Sequence, residues 1–135
     1  MVAAAKSQPD VRLAEIGQIA TRVKNLDRAI TFYRDALGLQ FLFQAPPGMA
    51  FFQCGALMLM LALPENPEQD HAGSVLYFRV DDIESAHRTL MARGVRFIDA
   101  PHLIHRAPEY ELWMAFFRDP DDTMLALMQR KPRLA

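Results

Sequence analysis

Two stretches of the chain alternate apolar and polar residues with a period of two. In residues 16–23, Ile19, Thr21 and Val23 share one parity and Gln18, Ala20 and Arg22 the other. In residues 74–80, Leu76, Phe78 and Val80 alternate with Val75, Tyr77 and Arg79. That period predicts strands with one face against a core. After each strand the period lengthens. Leu26, Ala29, Ile30, Tyr33 and Leu37 recur at the spacing of one buried helix face, as do Ile83, Ala86, His87 and Leu90. Asn25 and Asp82 stand at the expected N-caps, where their side chains can accept orphan amide hydrogens. Gly38 and Gly94 stand at the C-terminal ends, where a left-handed residue closes a helix. Three short strands follow each helix. In the first half they are 39–44, 49–53 and 56–63, broken by Pro46-Pro47-Gly48 and Gly55. In the second half they are 95–98, 112–118 and 123–129, broken by Asp119-Pro120-Asp121-Asp122. Residues 1–14 read as a flexible tail, and 64–73, rich in Pro, Glu, Asn and Gly, as a linker.

The two halves repeat one another. Residues 19–29 lie over 76–86 at a constant offset of 57, and after a one-residue slip Gly38-Leu39-Gln40-Phe41 meets Gly94-Val95-Arg96-Phe97. Met49-Ala50-Phe51-Phe52 then recurs letter for letter as Met114-Ala115-Phe116-Phe117. Three matches in one order make a duplication. The fold class is therefore α+β: one domain over 15–131, built of two βαβββ modules at about 15–63 and 74–131. Strand parity divides each module into two faces. Leu57, Leu59 and Leu61 oppose Met58 and Met60; Leu125 and Leu127 oppose Met124, Ala126 and Met128. The uniformly apolar parity is expected against the helices. The mixed one, with Gln18, Tyr77 and the methionines, is expected to be either an adaptable binding wall or simple core filling.

Composition narrows the function classes. Apolar residues make up 51% and charged residues 23%, which excludes a disordered chain. The net charge of −1 argues against a nucleic acid or an anionic membrane as partner. No run approaches the length of a membrane span, and no secretory leader is evident, so a cytoplasmic location is expected. The lone Cys54 excludes an internal disulfide and reads as a small buried hydrophobe.

The segments Leu26-Asp27-Arg28-Ala29-Ile30-Thr31-Phe32-Tyr33-Arg34-Asp35-Ala36-Leu37-Gly38 and Phe117-Arg118-Asp119-Pro120-Asp121-Asp122 resemble the vicinal oxygen chelate superfamily, which includes glyoxalase I, bleomycin-resistance proteins and extradiol dioxygenases. The resemblance covers about residues 16–130 and implies a curved mixed sheet of paired modules around a concave cavity that holds a ligand. It also implies pairing of modules between chains, hence a homodimer; apolar residues on both parities of 112–117 agree with that. Metal-dependent members place one ligand on the first strand and one on the fourth strand of each module. Those places here look like Gln18, Met60, Val75 and Ala126. Zn, Ni, Mg or Fe needs imidazole or carboxylate donors, so no metal and no cofactor is expected. The resemblance further implies a small-molecule site lined by Gln18, Met58, Met60, Val75, Tyr77, Met124 and Ala126, to which the family's strand parity adds Phe51, Met114 and Phe116. Asp122 and Thr123 stand where the family's turn has Gly and Asn, a departure that bears on turn geometry.

Other candidates are weaker. His102 and His105, followed by Glu109 and Glu111, could hold a displaced metal and support a lyase, isomerase or dioxygenase, but they are expected in a loop after Pro101. His87 fits a structural, half-buried position. Asp119 and Asp121 are explained by a Pro-containing turn. Arg22 and Arg79, equivalent across the repeat, could clamp an anion or pair with carboxylates. The sequence thus leaves open whether the protein catalyses or only binds.

Overall fold

The computed structural model describes residues 11, 12, 14–64 and 74–133. The expected tail falls mostly outside the described residues, and of the expected linker only Pro64 falls within them. In the first module, β1 (Gln18–Arg22) pairs in parallel with β4 (Leu57–Ala62), and β3 (Met49–Cys54) and β2 (Gln40–Ala45) follow antiparallel, giving the order β1-β4-β3-β2. In the second, β5 (Leu76–Arg79) pairs in parallel with β9 (Met124–Pro132), followed by β8 (Tyr110–Arg118) and β6 (Arg96–Phe97). The same edge of β8 also carries β7 (His102–Arg106).

The stretch after Pro101, expected as a loop, is thus a strand. Its register shifts between Leu103 and His105, so one extra residue is wedged in. A bulge breaks the period of two, which is why alternation fails as a signal there. β6 and β7 together stand where β2 stands in the first module, interrupted by residues 98–101. Across the interruption Asp99 takes over the ladder: its Oδ1 accepts from the Phe116 amide at 2.8 Å.

Helix α1 (Leu26–Thr31) begins at Asn25, whose Oδ1 accepts from the Arg28 amide at 2.9 Å. Helix α2 (Ile83–Ala92) begins at Asp82, which accepts from Ser85 at 3.1 Å. Gln129 of β9 reinforces the second start, accepting from the Ile83 amide and donating to the Asp81 carbonyl. Gly38 and Gly94 adopt φ of 79° and 89°, the left-handed conformation that closes each helix without a Cβ clash.

The helices differ in one respect. α1 continues as a π turn over Phe32–Ala36, in which the Leu37 amide donates to the Phe32 carbonyl five residues back. A π turn is one residue wound into an α-helix. It lies inside the interval where the repeat offset drops by one, so the slip between the copies has a physical location.

Parity sorts the faces as expected. Ala50, Phe52, Ala115 and Phe117 are fully buried, while Met49, Phe51, Met114 and Phe116, the alternate letters of the repeated tetrapeptide, are half-buried on the other face. Leu59, Leu61, Leu125 and Leu127 join Val23, Ile30, Tyr33, Ile83 and Leu90 in one core cluster drawn from both modules. His87 packs edge-on against Phe97, with ring centroids 4.4 Å apart, as a structural residue.

The 119–122 turn does more than reverse the chain. Asp119 is 1% exposed; its Oδ1 accepts from the Asp121 and Thr123 amides, and its Oδ2 accepts from the Tyr33 hydroxyl at 2.9 Å. Asp121 accepts from the Lys24 amide at 2.9 Å and pairs with Arg28. The turn of the second module is thereby locked to the first helix of the first. Burial chiefly, and the Asp119 carboxylate next, push the Tyr33 phenol well above its ordinary value.

Asp122 takes φ of 64° in this turn, the left-handed region disfavoured for residues with a Cβ. Among the described residues its side chain pairs with the exposed Arg96, at 3.2 Å. Asp122→Gly is therefore expected to stabilise the protein by about 0.5–1 kcal/mol, read as a higher urea midpoint with unchanged slope.

Candidate ligand-binding site

The face opposite the helices carries the side chains in question. On the first sheet, Gln18 lies opposite Met58 and Ala20 opposite Met60, with Phe51 beside Met60 on the next strand. Phe51 stacks on Phe43, with centroids 4.7 Å apart and planes at 24°, which adds Phe43 to the expected lining. Gln18 donates from Nε2 to the Met60 sulfur at 3.8 Å. Two of the four places that the resemblance marks for ligands are thus in contact with each other.

On the second sheet Ala126 lies between Tyr77 of β5 and Phe116 of β8. Their rings meet edge to face at 6.1 Å. The Ala126 methyl is 0% exposed, yet it lies outside the helix-side core cluster. The rings of Tyr77 and Phe116 flank this methyl from the two neighbouring strands. Met124 and Met114 share this face through their registers with Arg118 and Met128.

The ten expected residues therefore divide between two walls. Gln18, Phe51, Met58 and Met60 form one, and Tyr77, Met114, Phe116, Met124 and Ala126 the other. Val75, just ahead of β5, borders both: with Met58, Tyr77, Cys54, Ile19 and Phe78 it lines a cleft of about 290 Å³ between the two sheets. Phe43 and Tyr77 are each 47% exposed and Val75 37%, an unusual outlay of large apolar surface on one side of a small protein. Cys54 is only partly buried, short of the buried position expected, and burial raises its thiol above the usual value, which disfavours the nucleophilic thiolate.

The bulge in β7 has a consequence for the histidines. His102 is in register with Met114 and His105 with Leu112, so both fall on the parity of Met114 and Phe116 despite their spacing of three. The His102 ring lies 6.5 Å from that of Phe116. Its Nδ1 is 2.9 Å from the Ala100 carbonyl and 3.8 Å from Asp99 Oδ2. Glu111, one of the two glutamates that follow them, is held by the Trp113 N–H at 3.0 Å and by Arg106 at 2.9 Å. Those two contacts, the Trp113 one first, hold its carboxyl below the usual range. Among the described residues no three His, Cys, Asp or Glu side chains converge as a metal site would require. The donors at the four inherited places, an amide, a thioether and two alkyl groups, do not fit a divalent metal.

Sequence reasoning missed Phe43, the Asp99–His102 pair and the role of Asp119. Phe43 sits across a bulge between Phe41 and Phe43 and so appears on the wrong parity. Only the mutual bonding of Asp119 and Tyr33, far apart in sequence, reveals the third.

Comparison with known proteins agrees with this geometry. Residues 15–127 match the family model of the Glyoxalase/Bleomycin resistance protein/Dioxygenase superfamily. A lactoylglutathione lyase from Agrobacterium tumefaciens is 27% identical, with TM-score 0.66 over 86% of this chain and 93% of that one. A member of the same superfamily from Sphaerobacter thermophilus is 21% identical, with TM-score 0.73 over 87% and 98%. A glyoxalase family protein from Bacillus anthracis is 18% identical, with TM-score 0.70 over 91% and 100%. No curated protein sequence gives a significant match.

Proposed function

Since the chain belongs to the glyoxalase/bleomycin resistance protein/dioxygenase superfamily, we propose that it is a metal-free member that binds a small, partly apolar or aromatic molecule in the concavity of its sheets. The observation that carries this reading is the state of the four inherited places. Gln18 and Met60 satisfy one another, and Ala126 lies beneath the rings of Tyr77 and Phe116. What remains is a wall of aromatic rings and thioethers with few polar groups, suited to a flat or irregular apolar ligand held by contact area. Lewis-acid chemistry at those places lacks its donors here. Sequestration, in the manner of the bleomycin-resistance branch, needs none of them.

The exposed rings also support a second copy of the chain as partner. Phe43, Val75 and Tyr77, with Leu103 and Ile104 along the β7 edge, offer apolar surface that a homodimer would cover. The mild charge and the absence, among the described residues, of a helix long and apolar enough to cross a membrane fit a cytoplasmic small-molecule binder.

Purified protein is expected to carry no stoichiometric divalent metal by elemental analysis. It should take up a hydrophobic fluorophore such as anilinonaphthalene sulfonate saturably, and run by light scattering at about twice the 15.3 kDa chain mass. About one Zn, Ni, Mn or Fe per chain, lost on His105→Ala, would overturn the reading in favour of a displaced metal at His102 and His105.

A further inference from the structure

His102 stands apart from the apolar wall it borders. Its Nδ1 is 2.9 Å from the Ala100 carbonyl oxygen, a group that can only accept. The proton must therefore sit on Nδ1, and in the neutral ring Nε2 is left as the acceptor, on the edge turned away from Ala100. Asp99 Oδ2, 3.8 Å from Nδ1, favours the same tautomer. Asp99 is itself anchored, since its other oxygen accepts from the Phe116 amide at 2.8 Å. The Ala100 carbonyl thus orients the imidazole, while the neighbouring Asp99 carboxylate holds the strand that presents Phe116. The bulge in β7 adds the last element, keeping His102 and His105 on the face of Met114 and Phe116. Among the described residues no hydrogen bond is made to His102 Nε2, and the side chain is 43% exposed.

An acceptor of fixed tautomer at the border of an aromatic surface selects for a particular ligand chemistry. We infer that His102 is the polar anchor of the concavity, accepting at Nε2 a hydrogen bond from the hydroxyl of a phenol-like ligand whose ring lies against Phe116 and Tyr77. The rings of Phe116 and Tyr77, set edge to face at 6.1 Å, supply the apolar contact, and His102 supplies a directional one. The inference rests on the proposed binding of an aromatic molecule in the concavity and sharpens it to a protic aromatic. It makes His102 a specificity-determining residue and involves no covalent step.

The test compares phenol with its methyl ether, anisole, which has the same ring and no donor. At pH 7.5 phenol is un-ionised, and binding of each is followed by ligand-observed NMR and by long-range proton–nitrogen spectra of the histidine rings. Phenol is expected to bind about fivefold more tightly than anisole, the range of one hydrogen bond, and to shift the Nε2 resonance of His102 while leaving that of His87 in place. In His102→Phe, which keeps an aromatic ring beside Phe116, the two probes should bind equally. The nitrogen shift in the unaltered protein gives the answer even if that variant fails to fold. Equal binding of both probes with no Nε2 shift overturns the role of His102 and leaves the concavity reading standing. Binding of neither probe overturns both.

Discussion

Asp119→Ala is expected to cost about 3–5 kcal/mol of stability, the scale for removing one member of a buried charged network. The carboxylate is 1% exposed and satisfies three donors: the Tyr33 hydroxyl and the amides of Asp121 and Thr123. Alanine would leave all three without this acceptor, the Tyr33 hydroxyl buried and the two amides partly buried, at up to about 1–3 kcal/mol each before relaxation. Urea unfolding measures the loss directly; a change under about 1 kcal/mol would show that the turn holds itself without the carboxylate. Tyr33→Phe removes only one donor and should cost less, but it carries a pH signature. The folded protein keeps the Tyr33 proton well beyond the ordinary range, through burial first and the Asp119 charge second. The unfolded chain releases it near the usual phenol value of about 10. Above that pH the folded state binds more protons than the unfolded state, so this contribution to stability, complete below about pH 10, declines as pH rises. Phenylalanine has no such proton, so the stability gap between the parent and Tyr33→Phe should be level in neutral solution and narrow with alkali. A gap that stays level into strong alkali would show that Tyr33 ionises alike in both states.

Ala126→Trp is expected to abolish fluorophore uptake and to cost about 1–3 kcal/mol, the usual scale of overpacking. Tyr77 and Phe116 flank the methyl on the two neighbouring strands, and their rings already meet at 6.1 Å. An indole can enter only by driving them apart, which destroys the aromatic wall. Met124→Leu, a near-isosteric change on the same face, serves as the control and should leave both stability and uptake close to the parent. A tryptophan variant with parental uptake would place the bound fluorophore elsewhere on the molecule.

Much of this architecture was legible in the residues, and the reasons for the exceptions are specific. The repeat, the caps at Asn25 and Asp82 and the closing glycines depend on local chemistry, which a sequence carries openly. The split of Leu59 and Leu61 from Met58 and Met60 follows from a period of two in an unbroken strand. Where a strand is broken by an extra residue, as at Leu42 and Ile104, parity inverts midway, so simple alternation cannot place Phe43 or His105 on a face. Ala126 shows a different limit. The resemblance marks its position as a ligand place, but only the structure sets the rings of Tyr77 and Phe116 on the strands to either side of it. Asp119 reads locally as an ordinary turn residue, because its partner on helix α1 is invisible until the modules are docked.

The π turn in the first helix bears on the history of the molecule. A duplication begins with two interchangeable copies, each free to be lost, shuffled or replaced by the other. The π turn over Phe32–Ala36 sets the first copy apart from the second, in the segment that holds Tyr33. Tyr33 now depends on an aspartate encoded in the other copy, and that aspartate depends on it. A gene-conversion event that restored symmetry between the halves would leave one of the two groups buried without its mate. The copies became separate inheritances that must be passed on together.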